Sequence, residues 1–570
     1  MRFFFILFLF SHLNVLSQKK DYPKNFFRSP VDYKYTLAGN FGELRNNHFH
    51  SGLDIRTNGE EGKKIYAVAD GYVSRIKTSA TGYGKVIYIT HPNGYVSVYA
   101  HLQQYIGEIA KYMREAQNRA ESFEMELFPE PNKLTVKKGE IIALSGNSGG
   151  SAGPHLHFEI RDAITEYPIN PAFFGLGIPD NKAPVIQTFF VYPMDDSSFV
   201  NGKNFPISFP VIKLGNYYKI KSPAGLKLQG NIGFGFKSVD YANESMNTLG
   251  VYGAELKIDT QLCFSFEIDE FSFLDTRYMN SHIDYYRSFK GLGKITKCFV
   301  DEGNQLKIYQ KNNKNGIYFF EPEKMYKITL SNYDVDKNKS ELIIEAKGEG
   351  SNKKLFKLKE SYQSEFKANQ VNEWMDDGLK IVFPQNCFYQ NFNFKYQRKN
   401  NPGNYYSDIF EIHDPSIPIH TNYELEIKNS EIPNELHKKV IVARVSGSKI
   451  IESMGGIYSE GMIKVKPKTF GSFAIAVDTI SPVITPLNIT KTNSVKGKGK
   501  LIFKITDNLA GIETYKLYLN EKWVLLEHDA KSRTFTYLFD ENLKSGKNKL
   551  KLVVSDRCGN TKLFEKTILN

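Results

Sequence analysis

Cysteine and tryptophan are both scarce in this chain of 570 residues, with four and two copies respectively. Cys263, Cys298, Cys387 and Cys558 include no pair at CxxC spacing, so a thiolate zinc site is excluded. Free buried thiols are the expected state; if export allows any disulfide, Cys263 with Cys298 is the pair to test. A second absence is a dense basic block. The net charge of +12 is spread along the chain, and no nucleic-acid-binding module is recognisable. Long apolar runs are missing after the first twenty residues, so no transmembrane segment is expected in the mature chain, since a span needs roughly 20 apolar residues. The loop "SGNSGGSAG" lacks the GK[ST] ending and following helix of a phosphate cradle. Its glycines suit a sharp turn or a close backbone approach.

What is present is a start, "MRFFFILFLFSHLNVLSQKK", with a basic Arg2, a short apolar stretch and small residues before Gln18. It reads as a signal peptide over 1–17, with no following cysteine for a lipid anchor. An exported protein, periplasmic or associated with the cell envelope, is expected. The remaining length exceeds one hydrophobic core, and 41% hydrophobic content supports several packed domains. Alternating apolar runs with glycine and asparagine turns predict a mainly β chain, including a hairpin with "HPNG" at its turn. A repeat lies further on. "DNKAPVI" at 180–186 matches "DTISPVI" at 478–484, and the strand pairs that follow each also correspond, notably "YKITLSNYDVDKNKSELIIEAKG" with "KLKLVVSDRCGNTKLFEKTI". The expected organisation is an N-terminal segment 18–38, a β-rich domain 39–177, an immunoglobulin-like module with an insertion at 178–350, a β-rich module 351–477 and an immunoglobulin-like module 478–570.

Six of the twelve histidines lie between positions 48 and 157. His155 and His157 in "GPHLHFEI" are two apart, which on a strand puts both on one face and sends Leu156 and Phe158 into the core. His50 and Asp54 are four apart and can share a face, and His101 ends the run "YVSVYAH". Two histidines and a carboxylate would satisfy a catalytic zinc that keeps one open position, and two more histidines could move protons or stabilise an oxyanion. Spacing alone does not say which are ligands, because His48-Phe49-His50 is also an H-x-H pattern. His48 is read as a cleft-wall or surface residue, His91 as solvated at its turn, and Tyr99 and Arg45 as candidates for substrate contact.

"FHSGLD", "YAHL" and "GPHLHFEI", with "YAVADGYVSRI", "GYGKVIYITHPNG" and "VKKGEIIALSGNSGGSAG" between them, resemble the lysostaphin-type (LytM-like) zinc endopeptidases of peptidoglycan over about 39–175. The resemblance implies one zinc ion per chain held by His50, Asp54 and His157, with His101 and His155 assisting the attacking water and the tetrahedral intermediate. It also implies hydrolysis of cross-links or stem peptides of peptidoglycan; the alternative is a peptidoglycan-binding or regulatory protein that keeps the fold. No motif residue lies beyond 157, so a segment ending near 178 is expected to fold and bind zinc alone. The chain departs from a minimal family domain at 104–130. There Ile109, Met113, Ala116, Ala120, Phe123 and Leu127 repeat every three or four residues, a helix with a narrow apolar seam. That seam is expected to pack on its own domain, to restrain the cleft, or to meet an envelope partner through 104–127; the C-terminal modules are the other candidate partner surface.

Overall fold

The computed structural model describes residues 20–222, 225–243, 245–350, 363–429 and 431–570. The signal peptide expected at 1–17 lies outside the described residues, as does the start of the unit expected from 351. The chain is mainly β, as the alternating pattern requires.

The N-terminal unit is built on an eleven-stranded sheet in which Leu53–Arg56, His155–Asp162, Tyr95–Tyr105, Lys85–Thr90 and Gly71–Thr78 are consecutive neighbours. The expected hairpin joins Lys85–Thr90 to Tyr95–Tyr105, with Thr90 opposite Val96. Alternation along His155–Asp162 does what period 2 demands. Leu156, Phe158 and Ile160 are fully buried with Ile55, Ile87 and Tyr99 in one core, and the intervening side chains point into a cleft. Glycine makes a close approach there. Gly149 has φ +71°, and a Cβ on it would stand 2.3 Å from the Gly84 nitrogen, while Gly150 N–H donates to Gly82 O at 2.7 Å. The glycine-rich loop is therefore clamped to the loop at 82–84.

The expected helix runs Gly107–Ala120. The first part of the seam is filled from within the chain, with Ile109 and Met113 in the core of the N-terminal unit, but Ala120 is exposed and the helix stops there rather than running to Leu127. Just beyond the helix, Phe123 packs with Ala80 and Leu525 of the last module, and Met125–Leu127 pairs with Gly71–Thr78. The helix lines no part of the cleft, and the contacts of its seam support the packing role.

The modules that follow are sheets of mainly antiparallel strands, with parallel pairings where Lys339–Gly348 meets Tyr217–Ile220 and Leu226–Val239. In the first repeat Gln261–Glu267, Gly253–Ile258, Met325–Tyr333 and Lys339–Gly348 neighbour one another in that order reversed from the far edge, and Lys522–Val524, Ile512–Leu519, Lys547–Asp556 and Thr561–Leu569 repeat the order in the last. Residues 372–477 form two five-stranded sheets over one core that includes Phe383, Tyr423 and Phe470. All four cysteines are free and buried.

Two contacts were not foreseeable from the repeat. Phe41 and Phe49, next to His50, are buried in the core of the first module beside Phe271, and Phe49 N–H donates to Thr276 Oγ1 at 2.8 Å. Cutting at 178 would expose both rings. The last module folds back onto the same unit: Lys516 meets Glu121 at 2.9 Å, Lys85 meets Glu527 at 3.0 Å, and Lys531 Nζ donates to Asn147 O. Since Met113 is only 2% exposed, Met113→Ala is expected to destabilise the N-terminal unit by about 2–5 kcal/mol. Urea unfolding checks this, and a change within about 0.5 kcal/mol, the range of an ordinary surface position, would show that the seam is not core.

Candidate metal centre

Register brings the first two residues together. His157 stands directly opposite Asp54 in the antiparallel pair of Leu53–Arg56 with His155–Asp162, where facing side chains are neighbours. His50 reaches the same point from the preceding loop. The three approaches are 3.0 Å from His50 Nε2 to Asp54 Oδ1, 3.0 Å from His50 Nε2 to His157 Nδ1, and 2.9 Å from His157 Nδ1 to Asp54 Oδ1. All three residues are buried.

The far side of each ring fixes its hydrogen. A carbonyl can only accept, so His50 Nδ1, 2.7 Å from Asn40 O, carries the proton and leaves Nε2 bare. Likewise His157 Nε2 donates to Glu159 Oε1 at 2.7 Å, so Nδ1 becomes bare once a bound ion displaces the proton it shares with Asp54. Two ring nitrogens and a carboxylate oxygen therefore face one point. The surrounding field favours positive charge there. Burial opposes ionisation of Asp54, but His50 and the bonds from His155 and His157 outweigh it and hold the carboxyl well below its usual range. For His157 too burial is opposed, by bonds to Asp54 and Glu159 that raise it to about 9. Two imidazoles and a carboxylate, open on the cleft side, are a donor set that fits a metal ion.

Glu159 anchors this arrangement. Besides His157, its Oε1 accepts from Ser51 at 2.6 Å and from Tyr83 at 2.5 Å, and its Oε2 accepts from Arg161 at 2.6 Å. The Tyr83 hydroxyl is pushed well above its usual range by burial and by Glu159, so it stays a donor. Sequence reading stopped at His157, although residues 155, 157, 159 and 161 continue the same polar face; that alternation was the available signal. The Asn40 carbonyl gave no signal at all. Its side chain is held by the first module through two 2.8 Å bonds, Nδ2 donating to Gly250 O and Gly250 N–H donating to Oδ1.

His101 and His155 stand beside the three donors, their ring centres 4.8 Å apart. His101 Nδ1 donates to Ser148 O and His155 Nδ1 to Gly153 O, each at 2.8 Å, which leaves the Nε2 of neutral His101 an acceptor, while His155 Nε2 faces a carboxylate and is a donor when His155 is an imidazolium. His155 Nε2 is 3.3 Å from Asp54 Oδ1. Burial, then repulsion from His157 and His155, pushes His101 down to about 3, which keeps it neutral. It has φ +59°, a left-handed conformation uncommon outside glycine, and the strand's regular alternation does not set its direction.

Arg45 bonds Asp54 Oδ2 at 3.1 Å and Glu43 at 3.2 Å and lines the cleft. His48 is exposed at the cleft rim with Nδ1 2.9 Å from Asn46 O. Two expectations fail. His91 is 3% exposed rather than solvated, held by Asp70 O at 2.9 Å and Ser97 Oγ at 2.7 Å. Tyr99 is fully buried and accepts from Val68 N–H, so it cannot touch a substrate. The cleft has a volume of about 940 Å³, and Asn247, Phe273 and Thr276 of the first module complete its wall.

Residues 48–117 and 131–171 match the model of Peptidase family M23, the break beginning in the last turn of the helix. Residues 363–478 match that of the Zu5-like domain. The DD-carboxypeptidase/endopeptidase Mpg of Neisseria meningitidis is 32% identical over 131 residues, covering 23% of this chain and 24% of Mpg. The murein hydrolase activator NlpD of Salmonella typhimurium is 33% identical over 148 residues, covering 26% and 31%. A crystal structure of a zinc-containing peptidase from Vibrio cholerae is 26% identical, covers 27% of this chain and 40% of that one, and has a TM-score of 0.19. The chain spans about a quarter of the length of the curated relatives it matches.

Glu159→Gln is expected to weaken binding of a divalent transition metal by about 10–100-fold, since partners behind a ligand have effects of that size; competition with a chromogenic chelator measures it. From position 48 to position 171, with its core, cleft and converging donors, this chain carries a Peptidase family M23 domain of the lysostaphin (LytM-like) type.

Proposed function

We propose that the protein is an exported zinc endopeptidase that hydrolyses peptide cross-links or stem peptides of peptidoglycan, acting in the periplasm or at the cell envelope. The observation that carries this reading is the convergence of His50 Nε2, Asp54 Oδ1 and His157 Nδ1 beside two further histidines in an open cleft. His50, Asp54 and His157 would hold one zinc ion per chain. Zinc, when bound, supplies Lewis acidity toward water and toward a carbonyl oxygen.

The chain's own residues do the rest. Neutral His101 accepts at Nε2 the proton released when water attacks the amide carbon. It returns that proton to the departing amine. His155, with its Nε2 facing the same space, supports the charge of the tetrahedral intermediate. Arg45 keeps Asp54 in place, and Glu159 keeps His157 turned with Nδ1 toward the metal. The wall formed by Asn247, Phe273 and Thr276 limits which peptides enter. The two repeats are read as immunoglobulin-like units, available for the wall or an envelope protein.

NlpD's name as an activator motivates a second reading, a regulator without catalysis; the complete donor set speaks against it. His50→Ala is expected to lose metal and activity together. His101→Ala is expected to retain metal while the rate falls about 10²–10⁴-fold, the usual contribution of an acid–base group. Metal content by atomic absorption and muropeptide release by mass spectrometry distinguish them. Intact, zinc-loaded protein that releases no muropeptides would favour the regulator.

A further inference from the structure

Two carboxylate clusters lie far from the histidines. Asp180, Asp240 and Asp334 each bring an oxygen within 4.8 Å of the others, and so do Asp478, Asp507 and Asp556. They occupy the same places in the repeat. Asp180 and Asp478 open "DNKAPVI" and "DTISPVI". Asp240 and Asp507 directly follow Leu226–Val239 and Lys500–Thr506, Asp334 directly follows Met325–Tyr333, and Asp556 ends Lys547–Asp556. An asparagine four residues on closes both sets alike. Asn338 Nδ2 donates to Asp180 O at 3.0 Å and Asp334 Oδ2 at 2.7 Å; Asn560 Nδ2 donates to Asp478 O at 3.0 Å and Asp556 Oδ2 at 2.7 Å.

Geometry of this kind could serve only to shape a turn, but one atom in each set has no such use. Asp240 is 3% exposed, and its Oδ1 is enclosed without a hydrogen-bond partner among the described residues; Asp507, half-buried, also has an enclosed Oδ1 without one. Nearby ammonium groups are engaged elsewhere. Lys182 Nζ donates to Ala242 O at 3.2 Å, and Lys439 Nζ to Cys558 O at 2.8 Å and Asn560 Oδ1 at 2.6 Å. Enclosing an unpaired carboxylate oxygen against two more acids is costly unless a proton or a cation joins them. Burial, with Asp334, Asp180 and Asp336 alongside, pushes Asp240 up to about 7.

We propose that each cluster is a calcium site, one in each repeat. The donors are all oxygen, with no histidine or cysteine among them, which selects a hard cation. Calcium accepts a flexible shell of six to eight oxygens, which three carboxylates and nearby carbonyls can begin, whereas magnesium demands a near-ideal octahedron and keeps several waters. Asp180 and Asp478 sit on the segments leading into their modules, the first of them soon after the peptidase residues Pro171–Phe174. An ion there ties the incoming chain to two strand ends. At the first site this fixes the module that supplies Gly250 to Asn40 and Thr276 to the cleft wall.

The test is calorimetric titration of the full mature, zinc-loaded chain with calcium chloride. Two sites are expected, in the range of about 10⁻⁴–10⁻³ M common to extracellular modules. Asp240→Asn and Asp507→Asn should each remove one, and the double variant both, with magnesium chloride giving weaker binding. No calcium binding at millimolar concentration, or unchanged stoichiometry in the double variant, overturns the proposal. A shared proton instead predicts no calcium binding and a higher melting temperature for Asp240→Asn at neutral pH. Should a variant misfold, thermal unfolding of the unaltered chain decides: calcium must raise the midpoint relative to EGTA, and no shift overturns the proposal. None of these readouts uses peptidase activity, so they stand apart from the assignment of the cleft.

Discussion

Three ligand atoms that face one another within 3.0 Å need a positive centre, a proton or a metal ion, between them, and the architecture of the N-terminal unit follows from holding them there. The antiparallel register sets His157 against Asp54. A carbonyl behind His50 and a carboxylate behind His157 decide which nitrogen of each ring is bare. Glu159 is fully buried and would be costly alone; Arg161, Tyr83 and Ser51 make it tolerable, so four side chains serve the orientation of one imidazole.

The same constraint extends past the peptidase segment. Asn40 supplies the carbonyl for His50 and is itself pinned by Gly250, while Phe49 is anchored in the core of the first module. The loop carrying the first donor is thus positioned by two units at once. Peptidase unit and module share the cleft rather than adjoining it, and movement of the module would be felt at His50.

Much of this was legible because strands obey a strict period. The i, i+2 pairing of His155 and His157 and the burial of Leu156 and Phe158 follow from alternation alone, and the helix seam from a spacing of three and four. What escaped has identifiable causes. The direction of His101 depends on a left-handed backbone that no pattern announces. Asn40 acts through its main chain, which looks alike at every residue. His91 and Tyr99 were misjudged because polar residues at a turn and on a strand do not reveal whether buried partners await them. The contacts of Phe41 and Phe49 join elements more than two hundred residues apart, and no local periodicity encodes them. The carboxylate sets were visible as repeated letters, yet only the fold showed that they meet.

The return of the last module to the peptidase unit closes the chain into a ring: Phe123 rests on Leu525, and Glu121 and Lys85 meet Lys516 and Glu527. A ribosome delivers this ring in one direction. Residues 39–177 emerge hundreds of residues before their last covering surface has been made, so the peptidase unit spends its synthesis without part of its packing. The order of manufacture itself delays the full packing of this unit until the segments carrying Lys516, Leu525 and Glu527 have been delivered.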